Sequence, residues 1–372
     1  MAGQVYLDFN ATAPARPAVM QAVAAAMAAG GNASSVHATG RAARTVVEDA
    51  RAAVASLVGA QPGGVIFAGS GTEANNQALR CSGRERALVS AIEHESVLRA
   101  RADAETIPVG SDGVIDLAAL DALLRKESRP AIVSVMLANN ETGVIQPVAE
   151  IARLAHAHGA LVHSDAVQAA GKITVDMAAL GVDLLSLSAH KIGGPQGVGA
   201  LIAREPSSVG RLIHGGGQER GLRAGTENVP GIAGFAAAAR AALAGLSDFA
   251  DLAPLRDRLE AGLRAFDTEV AVFGSGAARL PNTSNFAAPG LSSETQVIGL
   301  DLAGIAVSAG SACSAGKIEA PYVLLAMGVP ETLARCAVRV SLGWTTTKAD
   351  IEALLAAWQS LRRRARRSSA AE

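Results

Sequence analysis

The sequence contains few aromatic residues and carries almost no net charge. Phe, Trp and Tyr make up 3% of the 372 residues, and the formal net charge is −1. Hydrophobic residues reach 49%, so the core must consist mainly of Ala, Val, Leu and Ile. That composition suits helices packed on a buried parallel sheet. The charge balance gives the chain as a whole no attraction to nucleic acid or to a membrane surface.

Cysteine and long apolar runs are also scarce. Three cysteines without a CxxC pair argue against a disulfide framework and against a structural metal site. No apolar run reaches the ~18 residues of a membrane helix. The first residues, MAGQVYLDFNATAP, lack the basic and apolar regions of a signal peptide. We therefore expect a cytoplasmic protein with no membrane partner, no direct nucleic-acid partner and no metal.

The one strongly basic stretch is RRRARR at Arg362–Arg367. A run of like charges at the end of a helical pattern is more often a solvated helix end than a partner site. We expect the solvated helix end here.

Strand patterns alternate with helical patterns along most of the chain, which predicts an α/β fold. The predicted sheet is mostly parallel with helices on both faces, and a smaller α+β domain accompanies it. We place a large domain at residues 12–245 and a small one at residues 1–11 and 246–372. The predicted strands are Val5–Phe9, Gly63–Gly69, Arg86–Ala91, Ala131–Leu137, Ala160–His163, Asp183–Ser188, Val198–Ile202, Asn282–Ala287 and Ala337–Leu342. The predicted helices are Arg41–Val58, Thr72–Arg80, Ile232–Gly245, Asp248–Ala265 and Lys348–Arg363.

The segment GSGTEA (Gly69–Ala74) follows a strand and opens a helix. Glycines allow close backbone approach, and the free N–H groups at a helix start suit a phosphate. The segment also matches the dinucleotide pattern GxGxxA, with Glu93 about where that pattern places an acid for the ribose. A nicotinamide-dependent oxidoreductase is therefore one hypothesis, and a plain turn into a helix is another.

Three polar residues follow predicted strands, at the edge where open parallel sheets bind ligands. Lys191 could form a Schiff base with the aldehyde of pyridoxal phosphate, and Asp165 could hold its pyridine nitrogen. Gly71 and Thr72 would then accept the phosphate, and His94 could lie over the ring. Considered alone, Lys191 would more often be a surface residue and His94 a structural residue.

Cys313 lies in VSAGSACSAGK (Val307–Lys317), where small residues offer few packing partners. Free cysteine usually packs as a buried hydrophobe, and we expect that of Cys81 and Cys336. Glycines on both sides give Cys313 conformational freedom instead, so its thiol could move between sites. A non-enzymatic sulfur carrier would explain Cys313, but it gives Lys191 and Asp165 no role.

The sequence resembles the cysteine desulfurases of the NifS/IscS type, which are pyridoxal phosphate enzymes of the class V aminotransferase group. The resemblance covers nearly the whole chain. It rests on VYLDFNATAP, GNASSVH, GTEANN, EHESVL, NNETG, HSDAVQAAGK, SLSAHKIGGPQGVGAL, HGGGQERGLRAGTENVPGI, SAGSACSAG and RVSLGWTTT, in the family's order.

The resemblance implies the aspartate-aminotransferase-like fold of PLP-dependent transferases, with pyridoxal 5'-phosphate as cofactor. It makes Lys191 the Schiff-base lysine and Asp165 the partner of the pyridine nitrogen. The further cofactor contacts would be Gln168 to the phenolic oxygen, His94 stacked on the ring, and Gly71, Thr72, Ser188 and His190 at the phosphate. Asn140 and Arg339 would hold the substrate carboxylate, and Thr226 would reach the phosphate of the other subunit in a homodimer.

The reaction implied is the conversion of L-cysteine to L-alanine, with the sulfur left as a persulfide on Cys313. Lys191 would remove the Cα proton, and His94 could deprotonate the thiol. A sulfur-acceptor protein, such as an iron–sulfur scaffold, would take the sulfur. The acceptor could equally serve nitrogenase maturation or tRNA thiolation. A selenocysteine lyase, or another lyase of this fold, is the nearest alternative.

Overall fold

A computed structural model describes residues 4–310 and 320–369. Within this part of the chain the strands form a seven-stranded, a four-stranded and a two-stranded sheet. The strands are β1 (Val5–Tyr6), β2 (Val65–Ala68), β3 (Arg86–Ser90), β4 (Glu105–Ile107), β5 (Ala131–Ser134), β6 (Leu161–Asp165), β7 (Leu184–Ser188), β8 (Gly199–Ala203), β9 (Ala271–Val272), β10 (Thr283–Ala287), β11 (Ile305–Ala306), β12 (Ser308–Ala309) and β13 (Ala337–Ser341).

The seven-stranded sheet has the order β2-β8-β7-β6-β5-β3-β4. Strands β2 (VIFA) and β5 (AIVS) are buried at every position and almost entirely apolar, which is typical of a sheet covered on both faces. Every neighbouring pair from β7 to β4 is parallel, whereas β8 is antiparallel to both β7 and β2. The connection from β7 to β8 is too short for a crossover helix, so β8 must run back. The predicted α/β fold with a mostly parallel sheet is confirmed.

Each of the five predicted helices corresponds to observed helix, although one of them is divided in two, and the structure has further helices whose bounds were not predicted. Helix α1 was not predicted, because its Ala-rich sequence buries only two positions and shows little periodicity. The predicted helix Asp248–Ala265 is two helices, because Pro254 starts a new first turn. The helices are α1 (Pro17–Ala29), α2 (Ala38–Leu57), α3 (Gly71–Arg80), α4 (Glu95–Leu98), α5 (Leu117–Lys126), α6 (Val148–Ala157), α7 (Met177–Leu180), α8 (Val229–Ala244), α9 (Leu246–Ala250), α10 (Ala253–Phe266), α11 (Ser293–Leu302), α12 (Tyr322–Ala326), α13 (Glu331–Ala334) and α14 (Lys348–Ser369).

The four-stranded sheet is antiparallel and has its own hydrophobic core. Its order is β12-β13-β10-β9, and Phe286 and Trp358 are among the residues buried beneath it. Leu7, from the N-terminal segment, belongs to the same core. The strand predicted at Val5–Phe9 is shorter than expected, since β1 ends at Tyr6. The domain limits at residues 12 and 245 remain a prediction.

The basic run at the end of α14 is not a solvated helix end throughout. Arg362 is buried, and its Nε lies 2.6 Å from Oδ2 of buried Asp267. Arg366 also pairs with Asp267, at 2.7 Å. The expectation of a fully solvated end was wrong because this carboxylate, distant in the sequence, lies under the helix.

No single helix in the described residues is long and apolar enough to span a membrane. One bent pair, residues 229–244 with 246–266, passes the same length and composition test together.

Candidate active site

A cavity of about 330 Å³ opens at the carboxyl ends of β6 and β7. This is the edge at which parallel sheets bind ligands. Most of the residues singled out from the sequence line it, although they come from distant parts of the chain. They are Gly71, Thr72, His94, Asn140, Asp165, Gln168, Ser188, His190, Lys191 and Arg339.

Two predicted site residues are not in this lining. Thr226 lies in a different cavity, which is also lined by Glu219 and Arg223. Cys313 lies outside the described residues. Gly310, three residues before it in the sequence, is part of the wall of the active-site cavity.

Lys191 lies in the turn directly after β7. That turn is a 3-10 helix, Ala189–Ile192, which ends at Gly193 with φ +81°. The ammonium Nζ of Lys191 donates to the backbone oxygens of Asn10 at 2.6 Å and of Ala11 at 2.8 Å. The N-terminal segment FNATAP therefore forms one side of the site around Lys191. The position of Lys191 after a strand does not predict this contact.

Asp165 ends β6 and is held on both carboxylate oxygens. Its Oδ2 accepts from Asn75 Nδ2 at 2.7 Å, and its Oδ1 accepts from the Val167 N–H at 2.9 Å. The side chain of Asn75 comes from α3, the helix that begins at Gly71. Its position in GTEANN, within one turn of Thr72, was the only sequence signal for this contact.

Asn75 also connects Asp165 to His94. Its Nδ2 donates to Ser96 Oγ at 2.9 Å, and that hydroxyl lies 2.7 Å from His94 Nδ1. The Ser96 N–H donates to the same ring nitrogen at 3.1 Å. These hydrogen bonds assign Nδ1 as an acceptor, so the neutral ring carries its proton on Nε2.

The start of α3, where GSGTEA predicts an anion site, lines the cavity. Ser70 Oγ accepts from the Glu73 N–H at 3.1 Å, and Glu73 Oε2 accepts from the Gly69 N–H at 2.8 Å. The first N–H groups of a helix have no acceptor within it. Gly71 and Thr72, the first two residues of α3, line the cavity, and a helix start favours an anion.

His190 stands beside this helix start as a neutral ring. Burial, followed by the charge of Lys191, lowers the pKa of His190 to about 4. One ring nitrogen, Nδ1, lies 3.1 Å from Thr12 Oγ1. At neutral pH the ring can therefore offer a hydrogen bond without a positive charge.

A buried lysine that sequence reasoning missed fixes the orientation of Gln168. The Nζ of Lys172 donates to Gln168 Oε1 at 2.7 Å and to Asn10 Oδ1 at 2.6 Å. Gln168 Nε2 donates in turn to the Asn10 backbone oxygen at 2.9 Å. Burial, with smaller effects of Lys191 and Arg339, places the pKa of Lys172 well below its usual value. Its motif, HSDAVQAAGK, was part of the resemblance, but nothing local predicted this contact.

Arg339 reaches the cavity from the four-stranded sheet and is held by acidic residues. Its Nη2 lies 2.9 Å from Asp8 Oδ1, and its Nη1 lies 3.4 Å from Glu141 Oε1. The same Nη1 donates to the Asn140 backbone oxygen at 3.3 Å. Sequence reasoning selected Asn140 from NNETG but missed its neighbour Glu141.

Glu93 does not act as the ribose acid of a dinucleotide site. It is completely buried, it is not among the residues lining the cavity, and its Oε1 accepts from the Met136 N–H at 2.6 Å. Burial, with a smaller effect of Asp165, raises the pKa of Glu93 well above its usual value. The nicotinamide hypothesis was wrong on this point, because the end of a strand does not tell whether a side chain faces the cavity.

The two cysteines predicted to be structural differ in burial. Cys336 is buried, with its Sγ 3.4 Å from the Thr332 backbone oxygen. Cys81 is only partly buried, with its Sγ 3.4 Å from the Arg211 backbone oxygen. Neither is among the residues lining the cavity.

A family model described as aminotransferase class V matches residues 5–354 of the chain. The chain belongs to the class V aminotransferase family. It is 45% identical to a cysteine desulfurase of Cereibacter sphaeroides, over 95% of this chain and 94% of that protein. It is 40% identical to an IscS-like cysteine desulfurase of Mycobacterium tuberculosis, over 98% of both chains. The structure of a NifS-like protein from Rickettsia africae superposes with a TM-score of 0.90 at 36% identity, over 97% of this chain and 99% of that one.

The segment GSGTEA alone was compatible with a nicotinamide cofactor or with pyridoxal phosphate. Membership of the class V aminotransferases decides for pyridoxal phosphate, because members of this family depend on it. The cavity fits that cofactor chemically. It brings together an amine for the aldehyde (Lys191), a carboxylate for the pyridine nitrogen (Asp165) and the start of a helix for the phosphate.

Proposed function

We propose that this class V aminotransferase family member converts L-cysteine to L-alanine and leaves the sulfur as a persulfide on Cys313. The observation that carries the proposal is a single cavity lined by Lys191, Asp165 and Arg339. These residues supply an amine, a carboxylate and a guanidinium. The similarity to proteins named cysteine desulfurase, at 45% and 40% identity, points to the same substrate.

Three residues would hold the cofactor's ring and its phenolic oxygen, and two more position one of the three. Asp165 would bind the pyridine nitrogen, and Asn75 and the Val167 N–H fix the carboxylate for that contact. Gln168 would bind the phenolic oxygen, and His94 would stack on the ring. Pyridoxal phosphate, when bound, supplies an electron-withdrawing ring that takes up the charge left on the substrate Cα.

The phosphate would lie at the start of α3, among neutral donors. Gly71, Thr72, Ser188 and His190 line this part of the cavity. The low pKa of His190 keeps its ring uncharged, so the attraction to phosphate would come mainly from the N–H groups and the dipole of the helix.

Arg339 and Asn140 would orient the substrate by its carboxylate. A guanidinium binds a carboxylate through two parallel hydrogen bonds, which fixes position as well as charge. With the carboxylate held there, the Cα proton can be directed to Lys191, which would remove it.

The sulfur transfer needs no added oxidant. The thiolate of Cys313 attacks the substrate sulfur, so that an S–S bond forms and the Cβ–S bond of the substrate breaks. The electron pair of that bond stays on Cβ, which takes a proton and becomes the methyl group of alanine. The carbon is reduced as the sulfur is oxidised. A free thiol has a pKa of ~8.5, so the site must help to deprotonate Cys313. In the tautomer assigned above, the lone pair of the His94 ring is on Nδ1, and we propose that the thiol proton is taken up there.

We further propose that the chain acts as a homodimer in the cytoplasm and passes its sulfur to an acceptor protein. Thr226 lines a different cavity of its own chain, with Gly69 and Gly197. This position supports a role of Thr226 in the phosphate site of the neighbouring subunit. The acceptor would take the persulfide sulfur from Cys313.

The test measures alanine and sulfide released from L-cysteine in the presence of a thiol reductant. We expect equal amounts of both from the wild-type enzyme. Cys313→Ala should still bind cofactor and L-cysteine but release almost no sulfide, whereas Cys81→Ala should behave as the wild type. Full sulfide release by Cys313→Ala would contradict the proposal.

A further inference from the structure

Glu141 is a buried acid in the wall of the active-site cavity for which the reaction above has no use. Its side chain is 7% exposed. Oε1 accepts from Asn140 Nδ2 at 3.0 Å and lies 3.4 Å from Arg339 Nη1. Oε2 is buried and has no hydrogen-bond partner among the described residues. A buried carboxylate oxygen without a donor is costly when the group is ionised.

Two carboxyl groups already contact the guanidinium that would hold the substrate. Asp8 lies at 2.9 Å on one nitrogen of Arg339, and Glu141 lies at 3.4 Å on the other. A substrate carboxylate would be a third negative group around one positive charge. Like charges that share a buried site cannot all remain ionised, so binding must neutralise one of the two protein carboxyls.

We propose that Glu141 takes up a proton when the substrate carboxylate binds Arg339, so that the substrate enters a site in which Glu141 is neutral. The proposal rests on the assignment of Arg339 as the substrate's carboxylate partner. It makes Glu141 a positioning residue that sets how substrate binding depends on pH.

The contacts favour Glu141 over Asp8 as the group that is neutralised. The side chain of Asp8 is more exposed, at 19%, and makes the shorter contact with Arg339. Glu141 makes the longer contact and has the oxygen that lacks a donor, where a proton can reside.

The charges around Glu141 agree with this choice. The pKa of Glu141 is raised to about 7, mainly by burial and to a smaller extent by Asp8. Arg339 on β13 and Lys191 after β7 act in the opposite direction. The acid therefore changes charge near neutral pH, where a bound carboxylate would shift it toward the protonated form.

The sign of the effect follows from the raised pKa. Below about pH 7 Glu141 is already neutral, and a carboxylate ligand binds with full affinity. Above about pH 7, Glu141 must take up a proton before the ligand binds. The affinity for a carboxylate ligand therefore falls by up to about tenfold for each further pH unit. Between pH 6 and pH 8.5 the dissociation constant should rise about thirtyfold.

L-alanine, the proposed product, is the probe for this effect, because it has the carboxylate and no thiol. Its dissociation constant is measured on the holoenzyme from the cofactor absorbance between pH 6 and pH 8.5. The same titration is made with Glu141→Gln, an uncharged side chain of the same shape. L-alaninamide, which lacks the carboxylate, is the matched ligand and controls for titration of Lys191.

We expect the L-alanine constant of the wild type to rise about thirtyfold relative to that of Glu141→Gln. The L-alaninamide constants of the two enzymes should follow the same course with pH. An equal rise for L-alanine in both enzymes would overturn the proposal.

Calorimetry on the wild type keeps the test decisive if Glu141→Gln does not fold. In buffers of different ionisation enthalpy at pH 7.5, and after correction for the known titration of each ligand's amine, L-alanine should take up about 0.75 proton more than L-alaninamide. Equal proton uptake for the two ligands would overturn the proposal. Failure of L-alanine to bind at any pH would instead contradict the proposed function, and this proposal with it.

Discussion

Replacement of Lys191 should abolish the chemistry of the cofactor and leave the fold unchanged. The lysine lies in a turn at the cavity and contacts backbone oxygens of the N-terminal segment. We expect Lys191→Ala to lower turnover of L-cysteine by at least about 100-fold, the lower range for loss of a general base. Borohydride should fix the cofactor to the wild type but not to the variant.

Lys126→Ala is the control, because this lysine is mostly exposed at the end of α5. Its activity and its circular dichroism should match those of the wild type. Lys191→Ala should keep the same circular dichroism. If it retained most of the desulfurase activity, the assignment of the lysine would be wrong.

Asn75 tests whether the buried amide between Asp165 and His94 serves the cofactor. Its Nδ2 donates to Asp165 and to Ser96, which contacts the His94 ring. A hydrogen bond to a charged group contributes about 1.5–3 kcal/mol, so we expect Asn75→Ala to weaken cofactor binding by about tenfold or more. The measurement is the dissociation constant of pyridoxal phosphate from the reconstituted enzyme.

The neighbouring amide provides a matched variant for this experiment. Asn76 contacts the backbone oxygens of Thr72 and Ser96. Asn76→Ala should therefore bind the cofactor more tightly than Asn75→Ala does. Equal affinity of Asn75→Ala and the wild type would show that the amide does not support Asp165.

The sequence predicts the site residues that stand at strand ends and misses those held by distant contacts. Lys191 and Asp165 follow apolar strands, so their position at the ligand-binding edge of the sheet could be inferred from the hydrophobic pattern alone. Lys172 and Glu141 carry no such signal, because their partners lie on other segments: Asn10 for the lysine, and Arg339 on β13 for the glutamate. Only the fold brings these side chains to their partners.

At the scale of elements, the buried pair Arg51–Glu219 holds the segment before Thr226 against the large sheet. Glu219 accepts from Arg51 at 2.8 and 3.0 Å and from the Phe67 N–H at 2.9 Å. Glu219 and Arg220 both have positive φ, at +46° and +56°, a region that residues other than glycine adopt only when contacts impose it. The pair therefore joins helix α2, strand β2 and this segment.

We expect Arg51→Met to lower the free energy of unfolding by about 3–5 kcal/mol, since it leaves a buried carboxylate without its partner. Urea unfolding followed by circular dichroism measures the change. Arg44→Met, at an exposed position of the same helix, is the control and should stay within about 0.5 kcal/mol of the wild type. A similarly small change for Arg51→Met would mean that other contacts hold the segment.

The alternation of strands and helices was predictable and the direction of β8 was not, whereas the break between α9 and α10 was missed although the sequence contains a signal for it. β8 matches its predicted position within one residue, yet it runs antiparallel because of its short connection to β7. β8 is buried at every position, like its parallel neighbours, so its hydrophobic pattern does not distinguish its direction from theirs. Pro254 gave a readable signal for the break between α9 and α10, since a proline is tolerated in the first turn of a helix but not in its interior.

At the scale of the molecule, the active species is predicted to be a dimer. If Thr226 completes the phosphate site of the neighbouring subunit, dilution to monomer should release the cofactor, and Thr226→Ala should weaken its binding in the dimer. Sedimentation measures the assembly, and absorbance measures the bound cofactor. A stable monomer with full cofactor occupancy and activity would contradict this prediction.

The proposed sulfur path makes two demands on the thiol of Cys313. It must reach the substrate sulfur at the cavity, and its persulfide must then meet an acceptor too large to enter. The Gly, Ala and Ser residues around Cys313 suit both demands, since they impose few packing constraints. The buried thiol of Cys336 could meet no protein acceptor.

The most direct test of the account is the position of the sulfur after one turnover. The enzyme is mixed with L-cysteine labelled with heavy sulfur, without reductant, and its peptides are analysed by mass spectrometry. The account predicts one added labelled sulfur on the peptide that contains Cys313, together with one alanine released per active site. Labelled sulfur on Cys81 or Cys336, with none on Cys313, would contradict it.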